Sequence, residues 1–182
     1  TDPELVLSQT CGMPYRLWLH NKVALVGTPD FGLDGCPPGY YRSPLVVRRD
    51  DERKTLVEFK DSVFAYNQTF SQSGYAAPFN HLRKAGFWFE NRLHTKQHLA
   101  SAKAVAEGRA DICSLDAVSW RLMQEYEGFA AGLRVLDWTE PTPGLPLITA
   151  LGNDADVVFE AYARALERLG GNDRTALGLR GI

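Results

Sequence analysis

Apolar residues recur along the chain in short bursts separated by turns rich in Gly, Pro, Ser and Asn. In two places they stretch out at helical spacing. The bursts at Leu5-Val6-Leu7, Val23–Gly27, Ser43–Arg49, Ser62–Tyr66, Ile112–Leu115, Leu133–Trp138 and Leu147–Ala150 predict short strands, the first of them a buried strand over Glu4–Ser8. Phe87-Trp88-Phe89 is aromatic and β-prone. The strongest helical pattern is Gln97–Glu107, where Leu99, Ala102, Val105 and Ala106 share a face and Gly108 supplies the terminating residue. A second amphipathic helix is predicted over Asp154–Leu169. Asn153 caps it, Val157, Val158, Tyr162, Ala165, Leu166 and Leu169 point inward, and Gly170-Gly171 stops it. Tyr75–Lys84 and Ala117–Glu127 also suit helices, and Arg16–Asn21 a short one. Thr28–Tyr41 carries Pro29, Gly32, Gly35, Pro37, Pro38 and Gly39, and reads as loop. Strands alternate with helices, and the crossovers are long enough for parallel pairing, so the fold class is α/β.

Composition narrows the choice of partners. The 182 residues are 45% hydrophobic and 23% charged, enough for a packed core and unlike a disordered chain. A net charge of −2, without a basic stripe, argues against nucleic acid. No apolar run approaches the ~20 residues of a membrane span, so no direct membrane insertion is expected. Three cysteines are too few for a disulfide framework. Cys11 and Cys36 can pair in an oxidising compartment or stay buried thiols, and Cys113 falls in an apolar strand. No pattern calls for a metal or a cofactor.

The candidate chemistry gathers at strand ends, where open α/β sheets bind ligands. Ser71-Gln72-Ser73-Gly74 lies between the Ser62–Tyr66 strand and the helix after it. The first N–H groups of a helix lack internal partners and sit at its positive end, so an anion fits there. Ser71 and Ser73 serve equally well as plain N-caps. The Gln9–Tyr15 turn and Asp116 occupy two further strand ends. His98, at the start of its helix, either packs locally or donates to an anion. Asp116 either caps the next helix or accepts from a ligand. A carboxylate beside an anion is costly unless a proton or an amine intervenes, which favours a protonated phosphate or phosphonate, or an aminophosphonate.

Taken together these pieces resemble the phosphate/phosphonate substrate-binding proteins of ABC transporters, a branch of the type II periplasmic-binding-protein fold. The resemblance rests on Leu7–Tyr15, Leu25-Val26-Gly27-Thr28-Pro29, Gly35-Cys36 through Tyr40-Tyr41-Arg42-Ser43, Ser71-Gln72-Ser73-Gly74, His98-Leu99-Ala100-Ser101, Ala104–Asp111, Ser114–Trp120 and Pro143-Gly144-Leu145-Pro146. It implies two α/β lobes with a ligand cleft between them. Residues 1–46 and 117–182 form the first lobe and 47–116 the second. It further implies a non-enzymatic, periplasmic solute-binding protein for a small oxyanion, with an ABC permease as partner. Gln9, Thr10, Tyr15, Tyr41, Ser71, Gln72, Ser73, Gly74, His98 and Asp116 are the expected ligand contacts. Two departures stand out. The family usually has a strand–helix–strand stretch before the position of Thr1, so part of the first lobe is expected to be missing. Gln72 also stands where a hydroxyl residue is common. The same fold leaves two alternatives: an enzyme using Cys11, His98 and Asp116 as a thiol–imidazole–carboxylate set, and the ligand-sensing domain of a regulator.

Overall fold

The computed structural model describes residues 2–182; Thr1, the first residue of the expected first lobe, lies outside them. In chain order the elements begin with β1 (Ser8–Gln9), α1 (Gly12–Pro14), β2 (Ala24–Gly27), β3 (Tyr40–Tyr41), β4 (Pro44–Arg48) and β5 (Phe64–Tyr66). Next come α2 (Ala77–Lys84), β6 (Arg92–His94), α3 (His98–Ala106), β7 (Ile112–Ser114), α4 (Ala117–Tyr126) and β8 (Leu133–Trp138). The chain ends with β9 (Thr142–Pro143), β10 (Leu147–Thr149), α5 (Ala155–Arg168) and α6 (Gly171–Leu177). Two π-helical turns, Tyr15–Leu19 and Gln72–Ala76, extend α1 and precede α2.

The chain folds as two compact units. One takes the chain up to Tyr41 and from Pro141 onward; the other is Arg42–Glu140. Residues 42–46 and 117–140, expected with the first lobe, therefore belong to the second unit. The reason is pairing: β8 lies beside β4 in that unit's sheet, with Val46 opposite Val135, and Trp120 and Met123 of α4 join its core.

The second unit is built on a five-stranded sheet ordered β6-β5-β7-β4-β8. β5 runs parallel to β6 and β7, whereas β4 is antiparallel to both its neighbours, so the expected parallel pairing holds for only part of the sheet. Alternation sends successive side chains to opposite faces. Val46, Ala65 and Cys113 face α3 and α4, meeting Ala102, Val105 and Trp120. Leu45, Val47, Phe64 and Ile112 face the other side, meeting Phe59, Leu82 and Phe89. Each large side chain so buried contributes about 1.5–3 kcal/mol. Phe87-Trp88-Phe89 is not a strand. Its rings are spent in this core, with Phe89 stacked on Phe64 at 4.8 Å and Trp88 edge-on to it at 5.2 Å, and the strand forms later, at β6.

The first unit carries a three-stranded antiparallel sheet ordered β1-β10-β2. The expected buried strand at Glu4–Ser8 is absent. Only Ser8–Gln9 pairs, on the sheet edge, and Val6 and Leu7 are 69% and 38% exposed. The cap of α5 also differs from expectation. Asp154 accepts from the N–H groups of Asp156 and Val157. Asn153 instead donates to the Leu5 carbonyl and the Thr149 hydroxyl. Of the six residues expected to point inward from this helix, Leu166 alone is buried; Val157 is 61% exposed.

Candidate functional site

In the second unit the carboxyl ends of the three parallel strands β5, β6 and β7 lead into one cluster of polar residues. From β5 the chain passes Asn67 and reaches Ser71, whose extended backbone (φ −78°, ψ 131°) opens the helix and whose Oγ accepts from the Gly74 N–H at 3.1 Å. Ala76 N–H then bonds back to the Ser71 carbonyl, five residues earlier, at 3.0 Å. The local sequence explains this widened turn. Pro78 has no N–H to offer the Gly74 carbonyl, so the ordinary four-residue ladder lacks that rung next to the widened turn. Ser71, Gln72, Ser73 and Gly74 are all buried.

Gly74 is required by space rather than by backbone angle. A Cβ there would run into Asn67 Oδ1 and stand 3.2 Å from His98 Cε1. Its hydrogen lets the end of β5, the start of the helix and the start of α3 converge.

His98 is placed by the passage out of β6. Thr95 bonds through N–H and hydroxyl to the Tyr66 carbonyl, and its hydroxyl meets the Ser101 hydroxyl at 2.6 Å. Lys96 takes a left-handed angle (φ 72°) that swings the chain into α3. The imidazole Nε2 then lies 3.0 Å from Ser73 Oγ and 3.4 Å from Asn67 Nδ2. Burial pulls the pKa of this ring below the usual imidazole value; the Asp116 charge and the Ser114 backbone oppose that pull without overcoming it. Nδ1 makes no hydrogen bond of good geometry, although the Ser114 carbonyl acts on the ring strongly enough to raise its basicity.

From β7, Ser114 donates its hydroxyl to the Ser73 carbonyl at 2.7 Å, tying the turn to the sheet. Asp116 follows. It caps α4, Oδ1 accepting from Ser119 N–H at 2.8 Å, while Oδ2 is buried without a partner. The residue is only 5% exposed. The capping reading of Asp116 is thus met by one oxygen, and the other oxygen is unspent.

The structure brings Ser73, Gly74, His98 and Asp116 together, with Ser71 and Gln72 on the same turn. Gln9, Thr10, Tyr15 and Tyr41 lie in the first unit. There the Gln9 side chain reaches the Leu145 carbonyl at 3.3 Å, Thr10 N–H bonds the Pro146 carbonyl at 3.0 Å, and Tyr15 meets His20 edge-on. Tyr41 is buried in β3. Cys11 sits in that unit too. All three cysteines are thiols and no disulfide joins Cys11 to Cys36. Burial raises the pKa of the Cys113 thiol far above its usual value. Among the described residues no three His, Cys, Asp or Glu side chains assemble as metal ligands. Sequence reasoning passed over Asn67 and Ser114. Asn67 stands between the Ser62–Tyr66 strand and the Ser71–Gly74 turn, but its contact is with His98, distant in sequence. Ser114 reads as one more strand residue.

Comparison with known proteins points the same way. The family described as ABC transporter, phosphonate, periplasmic substrate-binding protein matches residues 20–180. No curated protein matches the chain. Among solved structures, XAC2383 from Xanthomonas citri, bound to chloride, superposes with a TM-score of 0.71 at 17% identity, over 97% of this chain and 70% of that one. A binding-protein component of an ABC phosphonate transporter from Pseudomonas aeruginosa gives 0.70 at 17%, over 93% and 59%. PhnD1 from Prochlorococcus marinus, in complex with methylphosphonate, gives 0.70 at 14%, over 88% and 66%. At such identities the likeness shows the fold, that of type II periplasmic binding proteins. The chain spans 59–70% of the length of these three neighbours.

Proposed function

The chain belongs to the family of periplasmic substrate-binding proteins of phosphonate ABC transporters, and we propose on that premise that it captures a small tetrahedral oxyanion of the phosphate or phosphonate class. The Ser71–Gly74 turn is the holding element. N–H groups at the mouth of a helix attract negative charge, and the Ser73 hydroxyl lies beside them. Asp116 Oδ2 accepts a hydrogen carried by the ligand. The protein performs no chemistry on its guest and passes it to an ABC permease, working in the periplasm. Among the described residues no helix is long and apolar enough to cross a membrane.

The observation that carries this reading is the meeting of Ser73 and His98 at 3.0 Å, on a ring that also feels the charge of Asp116, whose Oδ2 is unspent. A capping role alone explains Ser71, whose Oγ is used within its own turn. It does not explain why the start of a second helix meets Ser73 through His98, a ring that also feels the buried Asp116. Calorimetry against phosphate, methylphosphonate, sulfate and methanesulfonate tests the reading. Binding of phosphate or methylphosphonate is expected, and silence across the panel overturns it. The double variant Ser71→Ala/Ser73→Ala should lose about 1–3 kcal/mol of binding energy, the worth of hydrogen bonds to a charged group.

A further inference from the structure

We propose that the end of α4 holds a second ligand site, a polar cavity that takes the zwitterionic head of a free α-amino acid. The site is separate from the oxyanion turn and stands without it. Asp116 caps one end of the ten-residue α4 and the cavity lies at the other, about 15 Å along the helix. The cavity measures about 340 Å³, in the range of small-molecule sites, and its walls include Arg49, Gln124, Glu125, Tyr126, Glu127 and Gly128.

One wall is an oriented and unspent cation. The Arg49 backbone N–H bonds the Gly132 carbonyl at 2.8 Å, and its Nε–H bonds the Ala131 carbonyl at 2.7 Å. The second bond fixes the plane of the guanidinium and leaves the N–H groups of Nη1 and Nη2 without a protein acceptor. Among the described residues no carboxylate pairs with Arg49. Both acids in the same cavity are engaged elsewhere. Glu127 pairs with Lys103 at 3.6 Å, and Glu125 is hydrogen-bonded to the Tyr126 hydroxyl, whose pKa it raises. Parallel N–H groups at the tip of a guanidinium match the oxygens of a carboxylate as a fork.

Another wall has the opposite sign. The Met123 carbonyl accepts from the Glu127 N–H at 2.9 Å, but the Gln124, Glu125 and Tyr126 carbonyls accept from no backbone N–H among the described residues. Open carbonyls at the negative end of a helix favour a cation. Tyr126, 66% exposed, adds a ring face that attracts an ammonium. A plain carboxylate would satisfy Arg49 and set its charge against these carbonyls, and a plain amine would do the reverse. An α-amino acid carries both charges on one carbon and suits both walls. The site reads this head group rather than a side chain.

NMR titration of the isotope-labelled full chain with glycine, L-leucine and L-glutamate tests the proposal. The Gly128 N–H and Arg49 Nε–H signals should move, while the Gly74 N–H in the oxyanion turn stays. Acetate and methylammonium, each carrying half of the head group, should bind about tenfold or more weaker than glycine. Arg49→Gln should weaken glycine binding about tenfold or more, and Arg49→Lys, which keeps the charge but not the fork, by less. Retained dispersion elsewhere in the spectrum shows that each variant has folded. The proposal is overturned if none of the three amino acids moves Gly128, or if they move Gly74 instead. Acetate binding as tightly as glycine, or Arg49→Gln binding glycine as tightly as wild type, overturns it as well. None of these results bears on whether the oxyanion turn binds phosphate.

Discussion

Gly74 shows how much a single hydrogen atom can govern. Its φ angle is ordinary, so a side chain is excluded by neighbours and not by strain. Gly74→Ala should push Asn67 away, with the ~1–3 kcal/mol loss of stability typical of overpacking. Urea titration measures that loss, and ligand affinity should fall in the same variant because His98 loses its partner. His98 itself supplies a pH signature. Burial sets its pKa below the ordinary imidazole value of 6.5, so the folded ring refuses a proton that the unfolded chain accepts. Its contribution to stability is therefore whole above pH 6.5 and shrinks as pH falls below it, until the folded pKa is reached. Going from about pH 7.5 to about pH 5.5, the urea midpoint should drop more in wild type than in His98→Asn. Equal drops would place the ring in a water-like setting. The polar character of Ser71, Ser73, His98 and Asp116 was legible in the sequence because caps and helix starts have local signatures. Asn67 was not, because only the folded chain brings its amide to the imidazole.

At the scale of elements, helix starts show the same limit. For α5 the sequence points to Asn153 as the cap, one residue before the one that serves. The fold chooses Asp154 because Asn153 is drawn to the Leu5 carbonyl and Thr149. Asp154→Ala should cost about 1 kcal/mol through loss of the cap, read as a fall in the thermal midpoint. The same element shows why the periodicity of Asp154–Leu169 misled. A stripe of apolar residues specifies a face, but not whether anything covers it, and Val157 is left largely in solvent. The strand expected at Leu5–Leu7 failed for a related reason: its composition suits a buried strand, yet among the described residues of this stretch Ser8 and Gln9 alone pair as strand with β10. In the second unit, by contrast, β8 was readable to its ends, since Leu133–Trp138 alternates between clear turns.

Taken whole, the second unit is braced by charge as well as by its core. Arg48, on β4, donates to the Val105 carbonyl in the last turn of α3 and to the Ala110 carbonyl just past it, and pairs with Asp111 at 3.1 Å. Arg53 binds Asp51 and reaches Asp111. The Arg53 hydrogen bond holds the Asp51 carboxyl down at about 2. Burial pushes Asp111 the other way, but the Val63 N–H and both arginines outweigh it and its pKa is lowered too. Folded carboxyls with depressed pKa stabilise the native state above the ordinary carboxylate value of 3.8, and that support is lost as pH falls toward about 2. Asp51→Asn should flatten the stability profile across this acid range, a comparison that circular dichroism can make. A charge run such as Arg48–Lys54 shows nothing of this network in sequence; only the strand order, with β4 beside β7, places Asp111 against it.

Cys113 lies at the centre of this braced sheet with no exposed surface. Thiol reagents cannot touch it while β4 and β5 flank β7 on either side. Cys11 and Cys36, half-buried in the first unit, should be modified well ahead of it. The slow third modification then becomes a built-in stopwatch for opening of the second unit, counting rare excursions in native buffer by mass spectrometry, with no denaturant and no engineered label.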